Sequence, residues 1–249
     1  MRRRRSRHDE MLAAIAGGEA DVDALAARFG VSASTIRRDL NALSARRAIA
    51  RTYGGAILAP AHETSLRART AQHRAAKAAI AHAALGLVGE GETLILDGGS
   101  TVEAFGRLLA GRSLRVVTTN LPLIPVLAGA PGMELVVLGG TVRPISVSTV
   151  GPMAESALRG VTAARVFMGA DGVVPGRGVC EATMEQVALK SLMMRQAREV
   201  VVLADASKLG REEQPFWAGL PPGWTLVTDA PEPACAPFAA EGARVIRAG

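Results

Sequence analysis

The chain has 249 residues, 49% of them hydrophobic and only 3% aromatic, with 29 Lys and Arg against 23 Asp and Glu. That length holds two domains, and a core drawn from Ala, Val, Leu and Ile with few rings favours helices over a β-sandwich. No apolar stretch free of Gly, Pro and charge is long enough to span a bilayer, and no apolar segment of secretory length follows the N-terminal arginines, so a cytoplasmic protein with no membrane partner is expected.

Charge is unevenly placed. Residues 1–57 hold 11 Arg, no Lys and 6 acidic residues, whereas residues 58–249 hold 18 Lys or Arg against 17 acidic residues. Such a split is the electrostatic footprint of a small part that grips a polyanion beside a large part with another task. Arg2-Arg3-Arg4-Arg5 forms an arm that either follows phosphates or stays solvated. A first helix is predicted over 8–16, with Met11, Leu12 and Ile15 inward, His8 at the surface and Gly17-Gly18 ending it. In Leu25-Ala26-Ala27-Arg28-Phe29-Gly30-Val31-Ser32, small Ala26 stands where two helices cross, and Gly30 stands where the chain turns with positive φ. That spacing is a helix-turn-helix signature. Ser32 caps a further helix whose apolar Ile36, Leu40 and Leu43 share one face, leaving Ser34, Thr35, Arg37, Arg38 and Asn41 on the other.

The run from Ile49 to Ile57 alternates and turns at Gly54-Gly55, as a β-hairpin wing does. Residues 1–57 therefore read as a winged helix-turn-helix DNA-binding domain. Ser32, Ser34, Thr35, Arg37 and Arg38 are assigned to the major groove of double-stranded DNA, Arg51 and Tyr53 to backbone or minor groove. Adjacent arginines on a helix diverge by about 100°, so one of Arg37 and Arg38 faces a base edge and the other a phosphate. A module this small reads paired half-sites in two copies, which predicts a homo-oligomer, dimer or tetramer.

Residues 58–75, with Pro60 and scattered polar side chains, read as a linker, and 76–249 as an α/β domain. Short apolar runs predict strands over 93–96, 114–117, 134–138, 165–168, 200–203, 225–227 and 244–246. Helices are predicted between them over 102–110, 121–128, 153–158 and 184–197, the alternation of a mainly parallel sheet. Five of the strands are followed by loops of one chemical character: Asp97-Gly98-Gly99-Ser100-Thr101, Thr118-Thr119-Asn120, Gly139-Gly140-Thr141, Gly169-Ala170-Asp171-Gly172 and Asp205-Ala206-Ser207-Lys208. A glycine after a strand is ordinarily only a turn; five such loops at one sheet edge form a crevice of the kind that binds ligands in open α/β sheets. Gly98 and Gly99 admit an anion close to the backbone, Ser100 and Thr101 open a helix that holds phosphate at its positive end, and Lys77 and Lys208 offset the charge. Asp97, Asp171 and Asp205 suit sugar hydroxyls.

No cofactor fingerprint is present, since neither GxxxxGK[ST] nor GxGxxG follows the first strand. His62, His73 and His82 are too scattered for a metal site, and Cys180 and Cys235 read as buried structural thiols. Trp217 and Trp224, flanking Pro221-Pro222, are expected to pack.

The chain resembles the DeoR-type family of bacterial repressors. The likeness rests on Thr35-Ile36-Arg37-Arg38-Asp39-Leu40, Arg51-Thr52-Tyr53-Gly54-Gly55-Ala56, Lys77 with Ile80-Ala81, and the five loops above, in that order along nearly the whole chain. The resemblance implies an N-terminal winged helix on operator DNA and a C-terminal sensor with a ribose-phosphate isomerase-like fold. It further implies a repressor of sugar or polyol catabolism relieved by a phosphorylated sugar or polyol, with Lys77, Asp97, Gly98, Gly99, Ser100, Thr101, Thr119, Asn120, Gly139, Gly140, Asp171, Gly172, Asp205 and Lys208 at the effector. Isomerase-like enzymes carry a lysine- and glycine-rich segment after the Gly-Ala-Asp loop; here that stretch is Gly178-Val179-Cys180-Glu181-Ala182-Thr183, without a lysine. Binding without turnover is therefore expected, with no catalytic residue and no cofactor. The competing reading is a sugar-phosphate isomerase carrying a DNA-binding domain, with Glu181 and Asp171 as its acid/base candidates.

Overall fold

The computed structural model describes residues 8, 10, 11, 14, 15, 21–45, 49–52, 55–58 and 65–249. The chain divides into two compact units, 1–62 and 63–249.

In the first unit, Asp21 caps the Val22–Phe29 helix by accepting from the amides of Asp23 and Ala24. Gly30 ends it in the left-handed region at φ 61°, a conformation open to glycine without a Cβ penalty. Ser32 then accepts from the Thr35 amide at 3.2 Å and starts the Ala33–Ala45 helix. Ile36, Leu40 and Leu43 join Met11, Ala14, Ile15, Val22 and Leu25 in one small core, so the expected periodicity is the buried face. Ser32, Ser34, Arg37, Arg38 and Asn41 are exposed and Thr35 is half-buried. His8 departs from its expected surface position: it is buried, with Nε2 3.2 Å from Oδ1 of buried Asp39. A polar partner at the same depth is what makes that burial tolerable. Strands Ile49–Thr52 and Gly55–Leu58 pair antiparallel, Ile49 opposite Leu58 and Thr52 opposite Gly55. The Arg51 side chain and all of Tyr53 lie outside the described residues.

The second unit is built on a seven-stranded sheet in which every pairing is parallel. From one edge to the other the strands are Arg244–Arg247, Thr225–Thr228, Ala197–Leu203, Ala163–Met168, Thr93–Leu96, Leu114–Thr118 and Met133–Val137. All seven fall on the predicted apolar runs. Period-two alternation divides their side chains between two cores: Ile95, Val117, Val166, Met168 and Val202 on one face, Leu94, Leu96, Val116, Phe167 and Leu203 on the other. Chain order runs outward in both directions from the pair Thr93–Leu96 and Ala163–Met168, which makes the gap beyond their carboxyl ends the topological switch point.

Several elements have no counterpart in the sequence reading. Thr141–Arg143 and Ser148–Val150 form a hairpin, and Gly172–Val174, Gly178–Glu181 and Phe216–Ala218 a small antiparallel sheet; strands of three or four residues leave too short a trace of alternation to detect. Residues 66–71, read as linker, are a helix of the second unit: Ser65 caps it, Leu66 is buried, and the Leu66 amide donates to Ile145 O at 2.7 Å. A helix over Glu232–Ala240 forms around Pro237. Trp224 meets Phe238 edge-on at 6.2 Å, and Arg177 stacks over Trp217 at 3.8 Å. Cys180 and Cys235 are free and buried.

Candidate functional site

A cavity of about 260 Å³ opens at the carboxyl edge of the sheet, across the switch point. Among the residues expected there, Lys77, Asp97, Gly98, Gly99, Ser100 and Thr101 line it. Thr119, Asp171, Asp205 and Lys208 complete the set. Gly99 adopts φ 120° as the chain leaves the first strand and enters the Ser100–Arg107 helix; this is the left-handed half of the map that favours glycine. Ser100 and Thr101 thus sit buried in the first turn, where unpaired helical amides and the positive end of the dipole meet the cavity. Lys208 and Arg211 add positive charge from the far wall. Asp205 accepts from the amide of Ser207 at 3.1 Å, and Asp171 from Gln214 Nε2 at 3.2 Å.

Four expected residues do not line the cavity. Asn120 is fully buried behind it, donating from Nδ2 to the carbonyls of Asp97 at 3.2 Å and Gly99 at 3.1 Å, so it braces the loop. Gly139 and Gly140 lie outside the lining; at Gly140, φ is 147° and a Cβ would stand 2.6 Å from Val150 O, so that glycine serves the backbone. This turn brings the hairpin back across the cavity, and its Ser146, Ser148 and Thr149 form the wall in place of the glycines. A Cβ on Gly172 would lie 2.0 Å from Arg211 O, so that glycine allows packing.

The centre of the site was not legible beforehand. Lys190, from the Met184–Arg195 helix, is buried at the switch point and donates to an Asp97 carboxylate oxygen and to Gly169 O at 2.6 Å, with Glu181 Oε1 at 3.1 Å. The stretch 178–183 lacks a lysine, yet the cavity does not. Burial alone would lower the Lys190 pKa, but the Asp97 and Glu181 carboxylates outweigh it and hold the ammonium above its ordinary value. The Glu181 pKa also rises, which for a carboxyl favours the neutral form: burial, with Asp171 and Asp97 nearby, pushes it up to about 8 against the pull of Lys190. Gln186 Nε2 donates to Glu181 Oε2 at 2.8 Å. A lone lysine among buried Leu189, Leu192, Met193 and Met194 was the available signal, because an ammonium on an apolar helix face needs a counter-ion.

Arg69, Gln72 and His73, from the region expected to be linker, close another side, and Lys77 faces them with its ammonium on the carbonyls of Arg69 and Gln72, the latter at 2.9 Å. The arrangement can hold an anion at the Ser100 end, satisfy several hydroxyls with carboxylates, and keep Lys190 charged as a fixed hydrogen-bond donor. Among the described residues no group of three His, Cys, Asp or Glu side chains has metal-holding geometry, and no helix is long and apolar enough to cross a membrane.

Residues 72–230 match the DeoR C terminal sensor domain, and residues 7–61 the DeoR-like helix-turn-helix domain. The chain belongs to the DeoR family of transcriptional regulators. Its relatives include the putative aga operon transcriptional repressor of Escherichia coli O157:H7, 33% identical over 199 residues, covering 78% of this chain and 74% of that protein. The HTH-type transcriptional repressor GlcR of Bacillus subtilis is 33% identical over 203 residues, 80% of this chain and 78% of its own. Among solved structures, ribose 5-phosphate isomerase A of Methanocaldococcus jannaschii superposes with a TM-score of 0.39 at 22% identity, over 53% of this chain and 52% of that one. In this DeoR-family protein the helix-turn-helix match coincides with the arginine-rich first unit, and the sensor match contains nearly every cavity residue.

Proposed function

We propose that this protein is a repressor whose first unit binds operator DNA and whose second unit releases it on capturing a phosphorylated sugar or polyol. The observation that carries the reading is the cavity at the switch point, where the buried first turn of the Ser100–Arg107 helix faces carboxylates and cations in a space of about 260 Å³, the size of one small metabolite. The phosphate sits at Gly99, Ser100 and Thr101 with Lys208 as counter-ion, and Asp97, Asp171 and Asp205 take hydroxyls. Arg37 and Arg38, exposed beside Ser34 on the Ala33–Ala45 helix, carry the DNA contact, with Arg51 and Tyr53 of the wing as further contacts. The protein acts as a homo-oligomer on paired half-sites in the cytoplasm.

Lys190 supports binding without turnover, because a buried ammonium held by the Asp97 carboxylate, the Glu181 carboxyl and Gly169 O is neither a nucleophile nor a free base. A mobility-shift titration on the protein's own upstream DNA, repeated with a panel of sugar phosphates, tests the whole reading. One member is expected to weaken the complex several-fold to a hundredfold, the range of a typical coupling of about 1 to 3 kcal/mol, and to be recovered unchanged. Sequence-blind binding, or consumption of the sugar phosphate, overturns it.

A further inference from the structure

The first described element after the boundary between the two units is the Leu66–Ala71 helix. Six residues do not sustain a helix unaided, so its persistence rests on how it is fastened to the second unit. At its start the Leu66 amide donates to Ile145 O. At its end the Lys77 ammonium donates to the carbonyls of Arg69 and Gln72, neutralising the negative pole of the helix. Between them, Arg69 Nη1 stands 3.5 Å from Asp171 Oδ1. Two of these three fastenings, Lys77 and Arg69, also line the cavity.

The base of Lys77 cannot follow its ammonium, since Ile80, Ala81 and Ala84 anchor the Arg74–Leu85 helix in the core. Its four-carbon stem can turn. Burial lowers the Lys77 pKa, and Lys208 and Arg69 lower it further against the pull of Asp205, so this cation is short of negative charge. An arriving dianion is a stronger counter-ion than two neutral carbonyls.

We infer that an anionic ligand and the docked Leu66–Ala71 helix compete for the Lys77 ammonium, so that filling the cavity undocks the helix through which the chain passes to the DNA-reading unit. This rests on the cavity being the effector site. Reciprocity follows: whatever holds the helix docked weakens the ligand by the same factor.

Hydrogen exchange on the full chain, titrated with inorganic phosphate, tests the inference. In the docked helix the amides of Arg69 and Gln72 donate to the carbonyls of Ser65 and Ala68, and they report its state; amides 98–103 report the phosphate end of the cavity. Phosphate is expected to slow exchange over 98–103 and to speed it over 66–72 by on the order of tenfold, the worth of a partly buried charge at a helix terminus. Lys77→Met is expected to exchange fast over 66–72 from the outset and to be insensitive there to phosphate; if that variant does not fold, the wild-type titration decides alone. Slowing over 98–103 with 66–72 unchanged or slowed overturns the competition and leaves the cavity reading standing. No slowing over 98–103 overturns the cavity reading and this inference with it.

Discussion

Lys190 shows how one side chain sets the charge state of its surroundings. Its ammonium serves two carboxyl groups, and Glu181, the more deeply desolvated, is the one driven towards neutrality. The groups facing Glu181 are Lys190, Asp97, Asp171 and Gln186. Its folded pKa of about 8 lies above the ordinary 4.5, so its contribution to stability is complete below the ordinary value and is lost as pH rises towards 8. Unfolding free energy is expected to fall across that window at a rate approaching about 1.4 kcal/mol per pH unit. Glu181→Gln, which keeps the shape and removes the titration, is expected to flatten the slope in denaturant melts at several pH values. Lys190→Met leaves the buried Asp97 carboxylate without its cation and is expected to cost about 3 to 5 kcal/mol, measured in the same melts.

At the scale of elements, backbone turns place the cavity walls. Gly140 is needed twice over, for a positive φ and for close approach to Val150 O, and the turn it permits delivers Ser146, Ser148 and Thr149 to the cavity. Gly140→Ala is expected to destabilise the second unit by roughly 1 to 3 kcal/mol and to lower sugar-phosphate affinity, read by calorimetric melting and by titration. In the first unit, among the described residues, the Ala33–Ala45 helix is held by buried Ile36, Leu40 and Leu43, with Ala33 partly buried against the same core. Leu40→Ala is expected to cost about 2 to 5 kcal/mol and to abolish the DNA complex, while the parallel sheet of the other unit still melts cooperatively. The strands and the turn at Gly30 were readable in advance because each writes a local pattern. The Leu66–Ala71 helix and the hairpin at 141–150 were not, since both depend on partners distant in sequence, Ile145 for one and Thr119 and Leu121 for the other.

For the whole molecule, the charge asymmetry and the cavity describe two tasks on one chain. Under the proposed DNA reading, Arg37→Ala and Arg38→Ala are expected to separate: the arginine on a base edge relaxes preference at one position by about 1 to 3 kcal/mol, and the one on phosphate weakens all sequences alike and lowers the salt slope by about one. Competition binding against single-base operator variants at two salt concentrations distinguishes them; identical behaviour of the two variants would contradict the assigned geometry.

From the amino-acid order alone come the helix-turn-helix, the seven strands, the parallel class of the sheet and ten of the cavity residues, since periodicity, caps and glycine turns are written within a few residues of where they act. The tertiary structure decided that Asn120, Gly140 and Gly172 support the site from outside its lining, that the 141–150 hairpin and the Leu66–Ala71 helix wall it, and that Lys190 lines it beside Asp97 and Glu181. The reason is physical: a buried ammonium takes its meaning from carboxylates brought within reach by the fold, and Asp97 lies 93 positions away in the chain.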